Sequence, residues 1–142
     1  MNIVIFEGMS GSGKDSLQKS VAKLFDYNII TINRFTPSIW VYDSLRGFDR
    51  TDEIIKFERE FDCLMKPFLV ISYCDPEISE KRDVVKENAF KYEFEKDKFE
   101  EYEKTICQYT RKIIIDTSIN SVEECAKKIK REIDEKSIYF RK

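Results

Sequence analysis

A glycine- and serine-rich stretch near the start of the chain separates an apolar run from a segment with helical spacing. Residues 3–6 (IVIF) form a continuous apolar run, typical of a strand that is buried on both faces of a parallel sheet. Residues 8–14 (GMSGSGK) follow and fit the pattern G-x-x-x-x-G-K, and residues 14–26 then predict a helix. In this order of strand, loop and helix, backbone N–H groups surround an anion, so the sequence predicts a phosphate-binding site.

Each position of this loop has a physical role in phosphate binding. The glycines allow a tight backbone turn, and Lys14 brings a positive charge to the outer phosphates, which makes it a predicted catalytic residue. We expect ATP to be the bound cofactor. The residues predicted to contact it here are Gly8, Ser10, Gly11, Ser12, Gly13, Lys14, Asp15 and Ser16.

One position departs from the usual pattern. The residue after the loop lysine is normally Ser or Thr, whose hydroxyl binds Mg²⁺, whereas here it is Asp15, followed by Ser16. A carboxylate is also a hard oxygen ligand, so Asp15 and Ser16 are predicted ligands of Mg²⁺. The alternative is that Asp15 only stabilises the helix N-terminus through its negative charge.

Beyond the loop, apolar runs that predict strands alternate with segments of helical spacing. Further strands are predicted over residues 28–32, 68–73 and 113–115. Helices are predicted over residues 38–45 and 121–136, and two more begin at residues 51 and 76. The helix from residue 51 has a predicted apolar face of Ile54, Ile55, Phe57, Phe61 and Leu64. The highly charged residues 80–112 predict one or two helices, with a mobile stretch over residues 86–95. This alternation predicts a single α/β domain over residues 1–142, a three-layer P-loop NTPase fold with a small parallel sheet of about four strands.

Composition excludes several classes of function. The 25 Lys and Arg nearly balance the 27 Asp and Glu, and the net charge of −2 argues against a general nucleic-acid-binding protein. No apolar run approaches the roughly 20 residues of a membrane span and no leader precedes the first strand, so we expect a soluble, cytoplasmic protein without a membrane partner. The lack of His and the wide spacing of the cysteines argue against zinc, and Cys63, Cys74 and Cys125 are expected in the core.

Several short motifs, taken in order, carry a family resemblance. The first motif is residues 6–8 (FEG) together with the phosphate loop, and the second is residues 33–35 (NRF) followed by Ser38 and Tyr42. The later motifs are residues 68–73, 75–77 (DPE), 81–82 (KR) and 115–118 (IDTS). Together they resemble the thymidylate kinase-like group of nucleoside and nucleotide kinases over most of the chain. Residues 14–16 (KDS) are also similar to the ribose bisphosphate phosphokinases. The first resemblance implies the strand order 2-1-3-4 and a homodimer.

The resemblance also implies roles for individual residues. Arg34 would clamp the acceptor or the transferred phosphate, and Arg82 would be the lid cation, so both join Lys14 as predicted catalytic residues. Apart from the resemblance, Glu7 lies at the carboxyl end of the first strand, where open α/β sheets bind ligands, so it is predicted to contact the acceptor together with Arg34, and the alternative is a structural role. Phe35, Trp40 and Tyr42 could form an aromatic wall that stacks on the base of the acceptor, and the alternative is that they belong to the core. Thr117 and Ser118 would lie near adenine, and Asp75 would be a further Mg²⁺ ligand.

These observations predict an ATP-dependent kinase for a nucleoside monophosphate, such as thymidylate or another deoxynucleotide. The group's Asp-Arg motif has Asn33 here, which cannot act as a base, and a phosphate acceptor is already anionic and needs none. The alternatives are a kinase for a nucleoside, sugar phosphate or other small metabolite, and a nucleotide-binding protein without catalysis. A GTPase is disfavoured because the sequence has no N-K-x-D motif and no D-x-x-G motif after the loop.

The loop analysis yields a direct binding prediction. Lys14→Ala should weaken binding of an unhydrolysable ATP analogue by roughly 10- to 100-fold, because a charge-assisted contact to phosphate is lost. Isothermal titration of both proteins, with and without Mg²⁺, measures this difference. Equal affinities of the two proteins would contradict the assignment of Lys14.

Overall fold

The computed structural model of the protein describes residues 1–82 and 91–138. Its strands are β1 (Asn2–Gly8), β2 (Ile29–Asn33), β3 (Phe68–Tyr73) and β4 (Arg111–Asp116). Its helices are α1 (Lys14–Leu24), α2 (Thr36–Arg46), α3 (Thr51–Met65), α4 (Pro76–Arg82), α5 (Lys91–Glu101) and α6 (Val122–Ile138). A short π-helical segment, Tyr102–Ile106, continues α5.

The four strands form one parallel sheet in the order β2-β1-β3-β4, as predicted. β1 pairs with β2 on one side and with β3 on the other, and Gly8 lies opposite Ser72 at the end of β3. Tyr73 lies opposite Asp116, so the carboxyl ends of β1, β3 and β4 meet at one edge of the sheet. Ligands bind at this edge in open α/β sheets, which places the candidate site there.

Helices cover both faces of the sheet, which gives three layers. Alternate residues of a strand point to opposite faces, and in β1 Val4 and Phe6 join one apolar cluster while Ile5 joins the other. The first cluster is completed by α1 and α6, through Leu17, Val21, Cys125, Ala126, Ile129 and Ile133. The second includes residues of α2, α3, α5 and the π-helical segment, among them Trp40, Val41, Ile54, Phe99 and Tyr102. The α/β fold that the strand–helix alternation predicts is therefore confirmed.

Two of the helix boundaries that differ from the sequence-based prediction have a clear local cause. α1 ends at Leu24 rather than at residue 26, because Asp26 and Tyr27 have φ of +52° and +61° and turn the chain sharply into β2. α2 begins at Thr36, two residues earlier than predicted, because Pro37 lies in its first turn, where a missing N–H costs nothing.

The predictions for α3 are partly wrong. Leu64 is 80% exposed and Phe57 44%, although both were expected on its apolar face, and Cys63 is exposed rather than in the core. Ile54 is buried as predicted. The other buried side chain of α3 is Glu58, whose carboxylate accepts hydrogen bonds from the Thr36 and Tyr102 hydroxyls and from the Gln108 N–H. A helix that buries a polar contact on its inner face leaves part of its apolar stripe in solvent.

The predicted mobile stretch falls partly outside the described residues. Residues 86–90 are not among them, whereas residues 91–95 lie in the first turns of α5. No helix of the described part of the chain is both long and apolar enough to span a membrane.

The packing of α6 yields a stability prediction. Ile129 is fully buried against the sheet, so Ile129→Ala should lower the free energy of unfolding by about 2–5 kcal/mol, because it removes buried apolar area and leaves a cavity. Urea denaturation measures the change. Ile119→Ala is the matched control, since Ile119 is 86% exposed and its truncation should cost under about 0.5 kcal/mol. Similar losses in the two variants would contradict this packing.

Candidate active site

The phosphate loop lies against two other backbone segments. A Cβ added at Gly8 would be 2.3 Å from the carbonyl oxygen of Ser72, and one at Gly11 would be 2.3 Å from that of Ser79. The φ angles of these glycines, +142° and +72°, are also ones that other residues rarely adopt. The loop is therefore fixed to the end of β3 and to α4 by contacts that only glycine permits.

The N-terminus of α1 completes the loop. Gly13 is the N-cap residue and has φ of +80°, and no side chain caps the helix. The first N–H groups of a helix have no partner within it, and together they carry a partial positive charge. This end of α1 is therefore suited to bind an anion.

Lys14 is the buried cation of the loop. It is 8% exposed, and its Nζ donates to Oδ1 of Asp15 at 2.8 Å and to Oδ1 of Asn33. Burial lowers the pKa of Lys14, while the hydrogen bond to Asp15 opposes that shift. The hydrogen bond from Lys14, followed by the one from Asn33, lowers the pKa of Asp15, so this carboxylate is ionised at neutral pH.

A large open cavity of about 1460 Å³ surrounds the phosphate loop. Lys14, Arg34 and Arg82, the three predicted catalytic cations, all line it. Residues from the far side of α1 and from the β4–α6 connection also line it, among them Lys19, Lys23, Tyr27, Thr117 and Asn120. Pockets for drug-sized ligands measure about 300–1,000 Å³, so this cavity has room for more than one such ligand.

Arg34 is held at the cavity by a sharp turn of its backbone. Its φ of +64° is rare outside glycine. The residue lies between the end of β2 and the start of α2. Its Nη1 donates to the carbonyl oxygen of Gly8 at 3.1 Å and to Oγ of Ser38 at 3.0 Å, and its guanidinium lies 5.4 Å from the centre of the Tyr42 ring. Arg34 thus contacts the first residue of the loop.

Glu7 contacts Arg34 and the start of α2 and does not line the cavity. Its carboxylate is fully buried and accepts hydrogen bonds from the Phe35 N–H at 2.6 Å and from the N–H and Oγ of Ser38 at 3.0 and 2.5 Å. Oε1 is also 3.8 Å from Nη1 of Arg34. Burial raises the pKa of Glu7, and these hydrogen bonds oppose the rise. Glu7, predicted to contact the acceptor, therefore lies outside the cavity lining and contacts Arg34 and the start of α2.

Arg82 lies near Gly13 at the end of the loop, whereas Arg34 contacts Gly8 at its beginning. Its Nη1 donates to Oγ1 of Thr117 at 3.1 Å and its Nη2 to the Thr117 carbonyl oxygen at 3.0 Å. The Thr117 hydroxyl in turn donates to the carbonyl oxygen of Ser12 at 2.6 Å. Thr117 therefore joins α4, the loop and the end of β4, while Ser118 accepts a hydrogen bond from the Asp75 N–H at 2.8 Å.

The predicted Mg²⁺ ligands occupy two different settings. Asp15 and Ser16 are exposed on the first turn of α1 and offer the oxygen donors that Mg²⁺ prefers. Asp75 lies at the start of α4, where it accepts a hydrogen bond from the Glu77 N–H at 3.0 Å, and it is not among the residues that line the cavity. No group of three or more His, Cys, Asp or Glu in the described ranges has metal-binding geometry. The donors fit Mg²⁺ only if phosphate oxygens and water complete its coordination.

The predicted aromatic wall is not formed. Trp40 is 8% exposed, donates from Nε1 to Oγ1 of Thr51 and packs near Tyr102, so it belongs to the core. Phe35 packs against the rings of Phe57 and Phe61, on the α3 side. Tyr42 alone of the three has its ring beside Arg34.

Sequence reasoning missed Glu95 of α5. This carboxylate is fully buried, and it accepts hydrogen bonds from the Ser10 N–H at 2.7 Å, the Ser10 hydroxyl at 3.2 Å and the Tyr42 hydroxyl at 3.4 Å. It lies in a highly charged stretch that reads as a solvated helix surface. The signal that would have found it is the stripe of Tyr92, Glu95, Phe99 and Tyr102, whose spacing of three and four residues marks one buried helix face.

The comparisons with known proteins bear on the fold. No family model and no curated protein matches the chain. Among solved structures, the YorR protein of Bacillus subtilis, in complex with phosphorylated GDP, superimposes with a TM-score of 0.76 at 18% identity and covers 94% of this chain and 96% of its own. A deoxyadenosine kinase from M. mycoides with bound dATP has a TM-score of 0.61 at 14% identity, over 94% and 100% of the two chains. The same kinase with bound dCTP scores 0.58 at 14% identity, over 92% and 99%.

These likenesses extend over nearly the whole length of each pair of chains. At identities below a fifth they show a shared fold and nothing further. The P-loop NTPase fold predicted from the glycine-rich loop is therefore confirmed.

The contacts of Glu95 yield a prediction. Glu95→Ala removes a charged acceptor from the partly buried Ser10 N–H, so the free energy of unfolding should fall by about 1–3 kcal/mol. Urea denaturation measures the change, with Glu93→Ala as the control, because Glu93 is exposed on the same helix. A Glu95 variant as stable as the Glu93 variant would contradict the assigned contacts.

Proposed function

We propose that this protein is a kinase that transfers the γ-phosphoryl group of ATP to a nucleoside monophosphate, with a deoxynucleotide as the first candidate acceptor. The P–O bond to ADP would break while a phosphate oxygen of the acceptor forms the new bond, giving a nucleoside diphosphate and ADP. When bound, Mg²⁺ would neutralise charge on the transferring phosphates, and Asp15 and Ser16 are the residues that would hold it.

The observation that carries the proposal is the arrangement of cations around the loop. Lys14, Arg34 and Arg82 come from three separate elements and line one cavity. Phosphoryl transfer depends mainly on the positioning of two phosphates and on the neutralisation of their charge. Three cations around a glycine-rich anion site supply both requirements.

The carboxylates of the site favour an acceptor that needs no base. Glu7 and Glu95 are both fully buried and accept hydrogen bonds from backbone N–H groups, and the end of β2 carries Asn33. A hydroxyl acceptor profits from a free carboxylate that removes its proton. A phosphate acceptor is already ionised, and Arg34 is placed to bind it.

A nucleoside acceptor is the second candidate. The Tyr42 hydroxyl donates to Glu95 beside Ser10 of the loop, and a tyrosine hydroxyl held in this way can hydrogen-bond a sugar hydroxyl. The shared fold with a deoxyadenosine kinase is compatible with this acceptor.

Transfer from γ-labelled ATP to a panel of acceptors tests the proposal. The arms contain ribo- and deoxynucleoside monophosphates, nucleosides, and sugar phosphates, each with Mg²⁺, and the products are separated by chromatography. The proposal predicts labelled diphosphates from at least one monophosphate. Turnover confined to nucleosides would favour the second candidate, and ATP binding with no transfer in any arm would indicate a nucleotide-binding protein without catalysis.

Arg34→Ala provides the matching variant. It should lower kcat/KM for the accepted monophosphate by roughly 10²- to 10³-fold, because a charge that stabilises the transition state is removed. Arg46→Ala, at the exposed end of α2, is the control and should stay close to wild type. An Arg34 variant with wild-type kcat/KM would contradict the assignment of Arg34 to the active site.

A further inference from the structure

Asn33 joins the two charged residues at the front of the loop. Its Oδ1 accepts a hydrogen bond from Nζ of Lys14, and its Nδ2 donates to Oδ1 of Asp15 at 2.7 Å. An ammonium group can only donate and an ionised carboxylate can only accept, so a single orientation of the amide satisfies both. An aspartate at this position would place a second carboxylate against Asp15, and an alkyl side chain would bind neither neighbour.

Further hydrogen bonds hold the Asn33 amide in this orientation. Nδ2 also donates to Oε1 of Gln18 at 2.6 Å, and Nε2 of Gln18 donates to Oγ1 of Thr31 at 2.8 Å. Gln18 lies about one turn after Asp15 on α1, and Thr31 lies two residues before Asn33 on β2. The network therefore connects the first turns of α1 to the edge strand of the sheet.

The two oxygens of Asp15 have different surroundings. Lys14 and Asn33 both donate to Oδ1, whereas Oδ2 has no hydrogen-bond partner among the residues that the structure describes. The Asp15 side chain is 76% exposed. A carboxylate with one oxygen held and the other open to solvent is suited to bind a hard divalent cation.

We propose that Asn33 is a positioning residue that holds the Asp15 carboxylate ready for a divalent cation and accepts a hydrogen bond from Lys14 until a phosphate replaces it. This inference rests on the proposed function, because the cation would arrive with the phosphates of the nucleotide. In this proposal the Asn33 amide has a role of its own, so the position is more than one where the group's aspartate has been lost.

The test measures how much Mg²⁺ strengthens binding of an unhydrolysable ATP analogue. Isothermal titration gives the Mg²⁺ enhancement, which is the Kd in EDTA divided by the Kd in Mg²⁺. Asn33→Leu should lower this ratio roughly tenfold, as expected when a residue that orients a metal ligand is removed. The Kd in EDTA should stay within about twofold of wild type, because Lys14 remains. Asn28→Leu is the matched control, since Asn28 is exposed before β2.

A double-mutant cycle separates positioning from an independent effect. If Asn33 acts through Asp15, Asn33→Leu should cause no further loss of the enhancement in the Asp15→Asn background. An unchanged enhancement in Asn33→Leu, or additive losses in the double variant, would overturn the inference. A wild type that binds the analogue equally with and without Mg²⁺ would also overturn it while leaving nucleotide binding intact. A wild type that binds no analogue would overturn the proposed function itself.

Discussion

The site depends on two places where the backbone of the phosphate loop lies directly against another backbone. At Gly8 the neighbour is the Ser72 carbonyl at the end of β3, and at Gly11 it is the Ser79 carbonyl in α4. These contacts need no side chain, and Glu95 adds a further contact by accepting a hydrogen bond from the Ser10 N–H. The contact with α4 also brings Arg82, the last residue of that helix, close to the loop.

Three buried carboxylates hold together the elements around the loop. Glu95 contacts the loop itself, Glu7 lies just before it in β1, and Glu58 joins α3 to the start of α2 and to the π-helical segment. Glu7, Glu58 and Glu95 are each fully buried, and each accepts at least one hydrogen bond from a backbone N–H. Such burial is tolerated only because of these hydrogen bonds. Burial still raises the pKa of Glu7 and of Glu58, so their ionisation lowers stability as the pH rises through the folded-state values. The network thus fixes α2 and α5 relative to the loop at a cost in stability.

Local patterns in the sequence predicted the parts of the structure that local physics decides. The order of β1, loop and α1 follows from an apolar run, three glycines and a helical repeat, all within 24 residues. Arg34 and Arg82 were assigned to the site by the family resemblance, and both line the cavity. The strand order came from the family resemblance and agrees with the structure.

The errors concern residues whose environment depends on contacts that are distant in sequence. Glu95 is 85 residues from Ser10, so a charged helix surface was the simplest interpretation of its sequence. Glu7 was placed beside the ligand because of its strand position, but the N-terminus of α2 folds over its carboxylate. Trp40 has the spacing of a core residue and was assigned to the acceptor as part of an aromatic wall, and the structure buries it.

A crystal structure of the protein with an unhydrolysable ATP analogue and Mg²⁺ tests the central claim most directly. The account predicts the β-phosphate within hydrogen-bond distance of the N–H groups of residues 11–14, with Nζ of Lys14 moved from Asn33 to a phosphate oxygen. An analogue bound elsewhere, or a loop whose N–H groups contact no phosphate while Lys14 stays on Asn33, would contradict it.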